Sequence, residues 1–370
     1  MTRISPSAKV TVKVTDESGN PLAGAKVDAD TFDHYEPASE FGGYEARYKL
    51  VTFTTDERGI ATLDVKLPQE ESGFGCRVNL TGYYSDWGEF NFTNSFLGHW
   101  LPLNPEVDVV LQKIGIQAPM YAAHIFLKKV PDETKPVGFD LMVGDWVEPY
   151  GKGKISDFIF HFEIAPTTWI TNFYGNRPAP RALNDWKRII TFSNDGDGIQ
   201  TFEALQHGLR SPRQAPLDGY ESSLTQHEYD ELYQKMEMRG GKQQEEPYVN
   251  FHQGYQKDRN YFFRVRTKKD ANGNIISALY GKIYGDFNNG MSGVVTRKEI
   301  NFTYFLNPEP NSRNMEFGEN LLLIQAMETI KQLEEKRQLP NWTIGNLDEN
   351  DQKESRRLQD LRRDSQSIGP

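Results

Sequence analysis

Cysteine is almost missing from this 370-residue chain: there is one, Cys76. A lone cysteine can make no internal disulfide and no cysteine-based zinc site. It sits in Gly75-Cys76-Arg77 beside an expected strand, and is read as a small buried hydrophobe rather than a reactive thiol. Histidine is scarce too, seven in all, with no H-E-x-x-H arrangement. No apolar run approaches the roughly 18–20 residues of a membrane helix. Met1–Pro6 lacks the apolar core of a signal peptide, which leaves two readings: a periplasmic or secreted protein whose leader has been removed, or a cytoplasmic one. Positive charge is in deficit, 42 Lys and Arg against 52 Asp and Glu, for a net charge of −10. Such a chain repels phosphate backbones, so nucleic acid is excluded as the default partner. Gly151-Lys152-Gly153 lacks the frame of a phosphate loop, and no G-x-S-x-G elbow occurs. No cofactor is expected.

Aromatic residues are plentiful, with 22 Phe and 17 Tyr, and 31 Gly and 20 Pro supply turn signals. Aromatics suit half-buried pleated surfaces, so the composition leans toward β structure. At about 100–200 residues per domain, the length suggests two or three domains. Lys9–Thr15 alternates apolar and polar residues with period two, the pattern of a strand with one buried face. Asp16–Leu22 follows as a turn cluster in which Gly19 can take positive φ. Asp56–Gly59 repeats the arrangement before the alternating Ile60–Val65. Glu106–Ile114 reads as a closing strand.

The spacing V-x-V-x-D-x-x-G-x-P-L-x-G-A-x-V, followed by T-D-x-x-G-x-A-x-L, resembles the carboxypeptidase-regulatory-like, or transthyretin-like, sandwich domains of bacterial exported proteins. The residues that carry it are Val12, Val14, Asp16, Gly19, Pro21, Gly24, Ala25 and Val27, then Thr55, Asp56, Gly59 and Ala61. The resemblance covers about a third of the chain. It implies a stabilising or binding module and brings no catalytic residue.

The expected fold is therefore mainly β. An N-terminal antiparallel β-sandwich over residues 1–115 is followed by a larger β-rich domain over 116–318, then by a helix and polar tail over 319–370. In the second domain, strands are predicted at Ala122–Val130, Val137–Leu141, Ile155–Ile164, Arg188–Phe192, Tyr261–Thr267, Ile275–Tyr284 and Lys298–Phe305. Asn272-Gly273 marks a hairpin turn, and Asp286–Gly290 reads as a second hairpin tip. Two helices are predicted. Thr225–Glu228 fits a capping box continued by Tyr229–Glu237, and Asn320–Gln338 is stopped by Pro340. Between 202 and 260 the polar, Gln- and Pro-bearing sequence reads as long loops.

Three groups of residues invite chemistry. Asp145 and Trp146, with Tyr150 in the same Gly-bearing loop, combine a carboxylate with aromatic platforms, which suits a sugar; a tight turn whose Trp plugs the core is the competing reading. His161 and Glu163 share one face of a predicted strand and suit ligand, metal or acid–base roles. Asp195 and Asp197 flank Gly196 and raise a calcium reading, against which stands a simple β-turn. The function expected is binding of a glycan or another envelope component through the second domain. The alternatives are a carbohydrate-active hydrolase using Asp145, Asp157 or Glu163, and a structural or assembly protein of the envelope.

Overall fold

The computed structural model describes residues 5–38, 43–68, 70–174, 177–204, 209–239, 242–256, 258–288 and 299–337. The chain divides into two compact units, Met1–Ile116 with Leu205–Arg210, and Gln117–Ala204 with Ser211–Pro370. Both are built from strands, and no helix of the described residues is long and apolar enough to cross a membrane.

The first unit runs β1 (Ser7–Asp16), β2 (Lys26–Pro37), β3 (Tyr44–Thr54), β4 (Ile60–Lys66), β5 (Gly73–Asn79), β6 (Asp86–Asn91), β7 (Asn94–Phe96), β8 (His99–Leu101) and β9 (Glu106–Leu111). One sheet has the order β4-β1-β8-β7, with β9 also paired to β1, and the other is β3-β2-β5-β6. The β1–β4 pairing is antiparallel, whereas β9 lies parallel to β1. Alternation places Val10, Val12 and Val14 of β1 in the core with Val27, Leu63, Val78 and Val109. Cys76 is fully buried among them, and burial pushes its thiol up to about 11.

The turns carry a shared chemistry. Asp16 Oδ1 accepts from the backbone N–H groups of Ser18 and Asn20, each at 2.8 Å. Asp56 Oδ1 does the same for Arg58 and Ile60 at 2.9 Å. Gly19 and Gly59 take φ of 81° and 72°, the left-handed conformation that the turn requires. In the second unit Asp270 accepts from Asn272 and Asn274, with Gly273 at φ 86°.

The second unit contains β10 (Ala118–Lys129), β11 (Val137–Asp140), β12 (Asp145–Trp146), β13 (Phe158–Ile164), β14 (Thr168–Tyr174), β15 (Arg177–Leu183), β16 (Asp185–Thr191), β17 (Gly198–Glu203), β18 (Ser223–Arg239), β19 (Lys242–His252), β20 (Arg259–Lys269), β21 (Ile275–Asn288), β22 (Glu299–Asn307), β23 (Phe317–Asn320) and α1 (Leu321–Arg337). Two six-stranded sheets, β17-β20-β21-β22-β10-β23 and β12-β11-β13-β16-β18-β19, contribute to one core; β14 and β15 form a separate hairpin. The core is aromatic. Phe158 packs edge-on to Phe263 at 5.1 Å, and Phe287 lies 5.1 Å from Phe302. The helix begins where Asn320 Oδ1 accepts from Leu322 N at 3.1 Å, and it buries Leu322 and Ala326.

Three expectations are corrected. The segment read as a helix over Thr225–Glu237 belongs to β18: Gln226 and Glu228 are buried while His227 is exposed, a period of two. Its backbone groups pair with β16 and β19 instead of along the segment. For the same reason the long loops expected between 202 and 260 are largely replaced by the β18–β19 hairpin. Asp286 and Phe287 are buried in β21, because Phe287 enters the aromatic core, so they are not part of a hairpin tip; Asn289 and Gly290, the end of the expected tip, lie outside the described residues. The polar tail beyond Arg337 lies outside the described residues.

Candidate functional site

Asp145 and Trp146 form the short strand β12, which turns back on β11. Trp146 is buried, edge-on to Phe139 at 5.2 Å and Phe160 at 5.7 Å, and its Nε1 donates to the Lys129 carbonyl at 3.0 Å. Its ring offers no face to a sugar. Asp145 ties the loop together: Oδ1 pairs with Lys128 Nζ at 3.0 Å, and Oδ2 accepts from Lys152 N at 3.1 Å. A Cβ at Gly151 would lie 2.3 Å from the Trp146 carbonyl, so only glycine closes this turn. Tyr150 is exposed, with its hydroxyl donating to Asp132 at 3.3 Å.

Asp157 is buried beneath the same loop and bound side-on by Arg266, Nε to Oδ1 at 2.7 Å and Nη2 to Oδ2 at 2.8 Å. Nη2 also reaches Asp140 Oδ1 at 2.8 Å. Asp157 Oδ2 accepts from Leu141 N, and Asp140 Oδ2 accepts from the backbone of Lys154 and Ile155. Arg266 stands at a register shift in β20 with φ 55°, a conformation that points its guanidinium to both carboxylates. Burial alone would lower its pKa, but Asp157 and Asp140 hold it above the ordinary value. A carboxylate with both oxygens engaged this way is a structural clamp and a poor general acid or base.

His161 and Glu163 alternate on β13 and share the face opposite Phe160 and Phe162. Glu163 is exposed and 3.8 Å from Lys187. His161 Nδ1 is buried without a hydrogen-bond partner. Asp195 pairs with Lys269 at 2.7 Å, while Asp197 accepts from Thr267 N at 2.8 Å and from the Asn194 side chain at 2.8 Å. These two carboxylates fasten a turn to β20. Among the described residues, no group of three or more His, Cys, Asp or Glu side chains could hold a metal ion.

The strand register extends the His161–Glu163 face in a direction that sequence reading missed. Glu163 pairs with Lys187, Lys187 with His227, and Asp185 with Tyr229, so these side chains lie in rows on one surface. Tyr229 is stacked between His227, at 4.6 Å and 30°, and His252, at 4.5 Å and 12°. His227 Nε2 is 2.8 Å from Asp185, and His252 Nε2 is 2.7 Å from Glu231. Further along the ladder Tyr233 meets Tyr248 at 4.9 Å, with Lys235 Nζ 5.3 Å from the Tyr248 ring. The signal lay in the alternation of His227, Tyr229, Glu231 and Tyr233, which the helix reading of this segment hid.

No protein-family model matches the chain, and no curated protein matches it. Among solved structures, the chain is similar to the 3-chlorocatechol 1,2-dioxygenase of Rhodococcus opacus at 15% identity and a TM-score of 0.21, over 30% of this chain and 62% of that enzyme. It is also similar to the major pilin subunit of Bacillus cereus at 12% identity and a TM-score of 0.18, over 80% of this chain and 95% of the pilin. A putative membrane-associated protein of unknown function from Bacteroides fragilis aligns at 10% identity and a TM-score of 0.18, over 84% and 100% of the two chains. Likenesses at this level assign no activity.

Proposed function

We propose that the chain is an exported structural or assembly component of the bacterial envelope rather than a catalyst. The observation that carries this reading is the β18–β19 ladder. β18 is 17 residues long, and among the described residues β19 ends its sheet, so one side of β19 presents backbone groups that another strand can pair with. Leu232, Tyr233, Met236 and Tyr248 are exposed on this ladder. The carboxylates Asp140, Asp145 and Asp157 are all occupied in holding loops, which supports a non-catalytic reading. In this reading residues 1–115 form the regulatory-like sandwich, 116–318 the contact-making domain and 319–370 its helix and tail.

Cell fractionation with cross-linking tests it. Full-length protein is expected in the envelope fraction in assemblies that the double variant Leu232→Lys, Met236→Lys disrupts while leaving circular dichroism unchanged. Recovery of the wild type only as a cytoplasmic monomer with no cross-linked envelope partner discards the reading.

One observation favours a second reading, glycan recognition: the Tyr229 stack flanked by the carboxylates of Asp185 and Glu231. Glycan arrays probed with wild type and Tyr229→Ala would show binding that the variant loses; no signal from the wild type removes this option.

A further inference from the structure

Beneath the ring-bearing face, on the buried side of the same sheet, lies an arginine whose donors are only partly matched. Arg188 of β16 is fully buried. Its Nη1 donates to Gln226 Oε1 at 2.8 Å, but its Nε and Nη2 have no hydrogen-bond partner. The indole Nε1 of Trp186, two residues earlier on the same strand face, is likewise buried and unpartnered. Buried donors without acceptors are uncommon in folded proteins, and an ordered water or a bound ion commonly completes them.

The arrangement around Arg188 is stiff. Trp186 and Phe162 lie beside the guanidinium, with ring centroids 5.5 and 6.0 Å from its central carbon. Gln226, which holds Nη1, is itself fixed through Nε2 to Asp286 Oδ1 at 2.7 Å and to the Phe287 carbonyl at 3.1 Å. Asp286 in turn accepts from Tyr261 Oη at 2.5 Å and from Gln256 N at 2.9 Å. The network therefore orients one guanidinium edge, Nε with Nη2, and leaves that edge without an acceptor. The same edge of Arg266 shows what it suits, since there Nε and Nη2 grip the two oxygens of Asp157.

We propose that Arg188 and Trp186 form an enclosed binding site for a small planar oxyanion of the carboxylate class, held by Nε and Nη2 of the arginine and Nε1 of the tryptophan. Electrostatics agree. Burial pulls the Arg188 pKa down to about 10 even though Glu228, Asp286 and Tyr261 act to raise it, so nearby negative charge does not fully offset the buried cation. A bound carboxylate would supply that charge together with two acceptors. Because the three donor atoms are closed off from solvent, the ligand is expected to enter during folding or local opening and to leave slowly.

The probe is carbon-13 formate. Full-length protein is unfolded in urea, refolded with labelled formate or with chloride at equal ionic strength, passed through a desalting column and examined by NMR and thermal melting. The expected result is about one retained formate per chain and a melting temperature above that of the chloride sample. Trp186→Phe keeps a ring and removes one donor, and is expected to weaken retention about tenfold, as for loss of a hydrogen bond to a charged group. Arg188→Met is expected to abolish retention; if it does not fold, the Trp186→Phe comparison decides alone. Wild type that retains no formate and melts alike in both salts overturns the proposal. So does retention unchanged in Trp186→Phe, which would place the anion elsewhere. The assembly reading is untouched by either result, because its test reads the exposed hairpin.

Discussion

At the scale of single residues, the second unit holds buried carboxylates that a partly buried arginine matches. Arg266 is the clearest case, since Asp140 and Asp157 both lose their counter-charge if it goes. Removing one partner of a buried pair costs about 3–5 kcal/mol, so Arg266→Met is expected to lower urea stability by that order. A loss below about 1 kcal/mol would mean that the clamp is not structural. Lys282 is a different case. It is buried, with its amine donating to Tyr284 Oη at 2.6 Å and Ser211 Oγ at 3.1 Å, and burial brings its pKa down to about 7 from 10.5. Between those two values the unfolded chain holds a proton that the native protein has shed. Stability is therefore expected to rise with pH from about 7 to 10.5, and the penalty is full below 7. Urea titrations at both ends of that window should show a pH slope that Lys282→Met flattens; identical slopes would refute the assignment.

At the scale of elements, the hairpins were the most legible part of the sequence, because a turn is decided by residues adjacent in the chain. Asp16-x-x-Gly19 and Asp56-x-x-Gly59 announce both the side-chain acceptor and the residue that takes positive φ. The two glycines are nonetheless not equivalent. A Cβ on Gly19 meets nothing within 4 Å, whereas one on Gly59 would lie 2.4 Å from the Val14 carbonyl. Gly19→Ala should cost only the left-handed penalty, about 1–2 kcal/mol, and Gly59→Ala clearly more; equal melting shifts would contradict this. β18 was illegible for the opposite reason. Among its described side chains the buried ones are Gln226 and Glu228, both polar, with Gln226 held by partners on other strands, so hydrophobic periodicity carried no strand signal. The face bearing His161 and Glu163 was visible in the sequence, but its continuation through Lys187, His227 and Tyr229 depends on register between distant strands. Trp146 follows the tight-turn reading rather than the sugar one, because the glycines and carboxylate around it serve to close a loop over a buried ring.

At the scale of the whole molecule, two units with separate cores predict separable unfolding. Calorimetry is expected to resolve two transitions, and a single transition with equal calorimetric and van't Hoff enthalpies would show that the cores melt together. Acid should act on the turns of both units. Asp16, Asp56 and Asp270 are all held below their ordinary pKa of 3.8, Asp16 and Asp270 first by asparagine side chains and Asp56 first by the backbone N–H of Ile60. The stability they contribute is present above that value and is lost as pH falls through their lowered native values. Asp16→Asn is expected to narrow the difference in urea midpoint between pH 5 and pH 2.5, and an unchanged difference would count against this account.

Cys76, fully buried in the sandwich of the first unit, makes that unit chemically addressable. With no second thiol in the sequence, a disulfide-exchange reagent reports only excursions that expose that core. The labelling rate in native buffer is thus a gauge of how often the sandwich breathes. It is blind to the second unit, whose separate core holds Trp146 and Trp186.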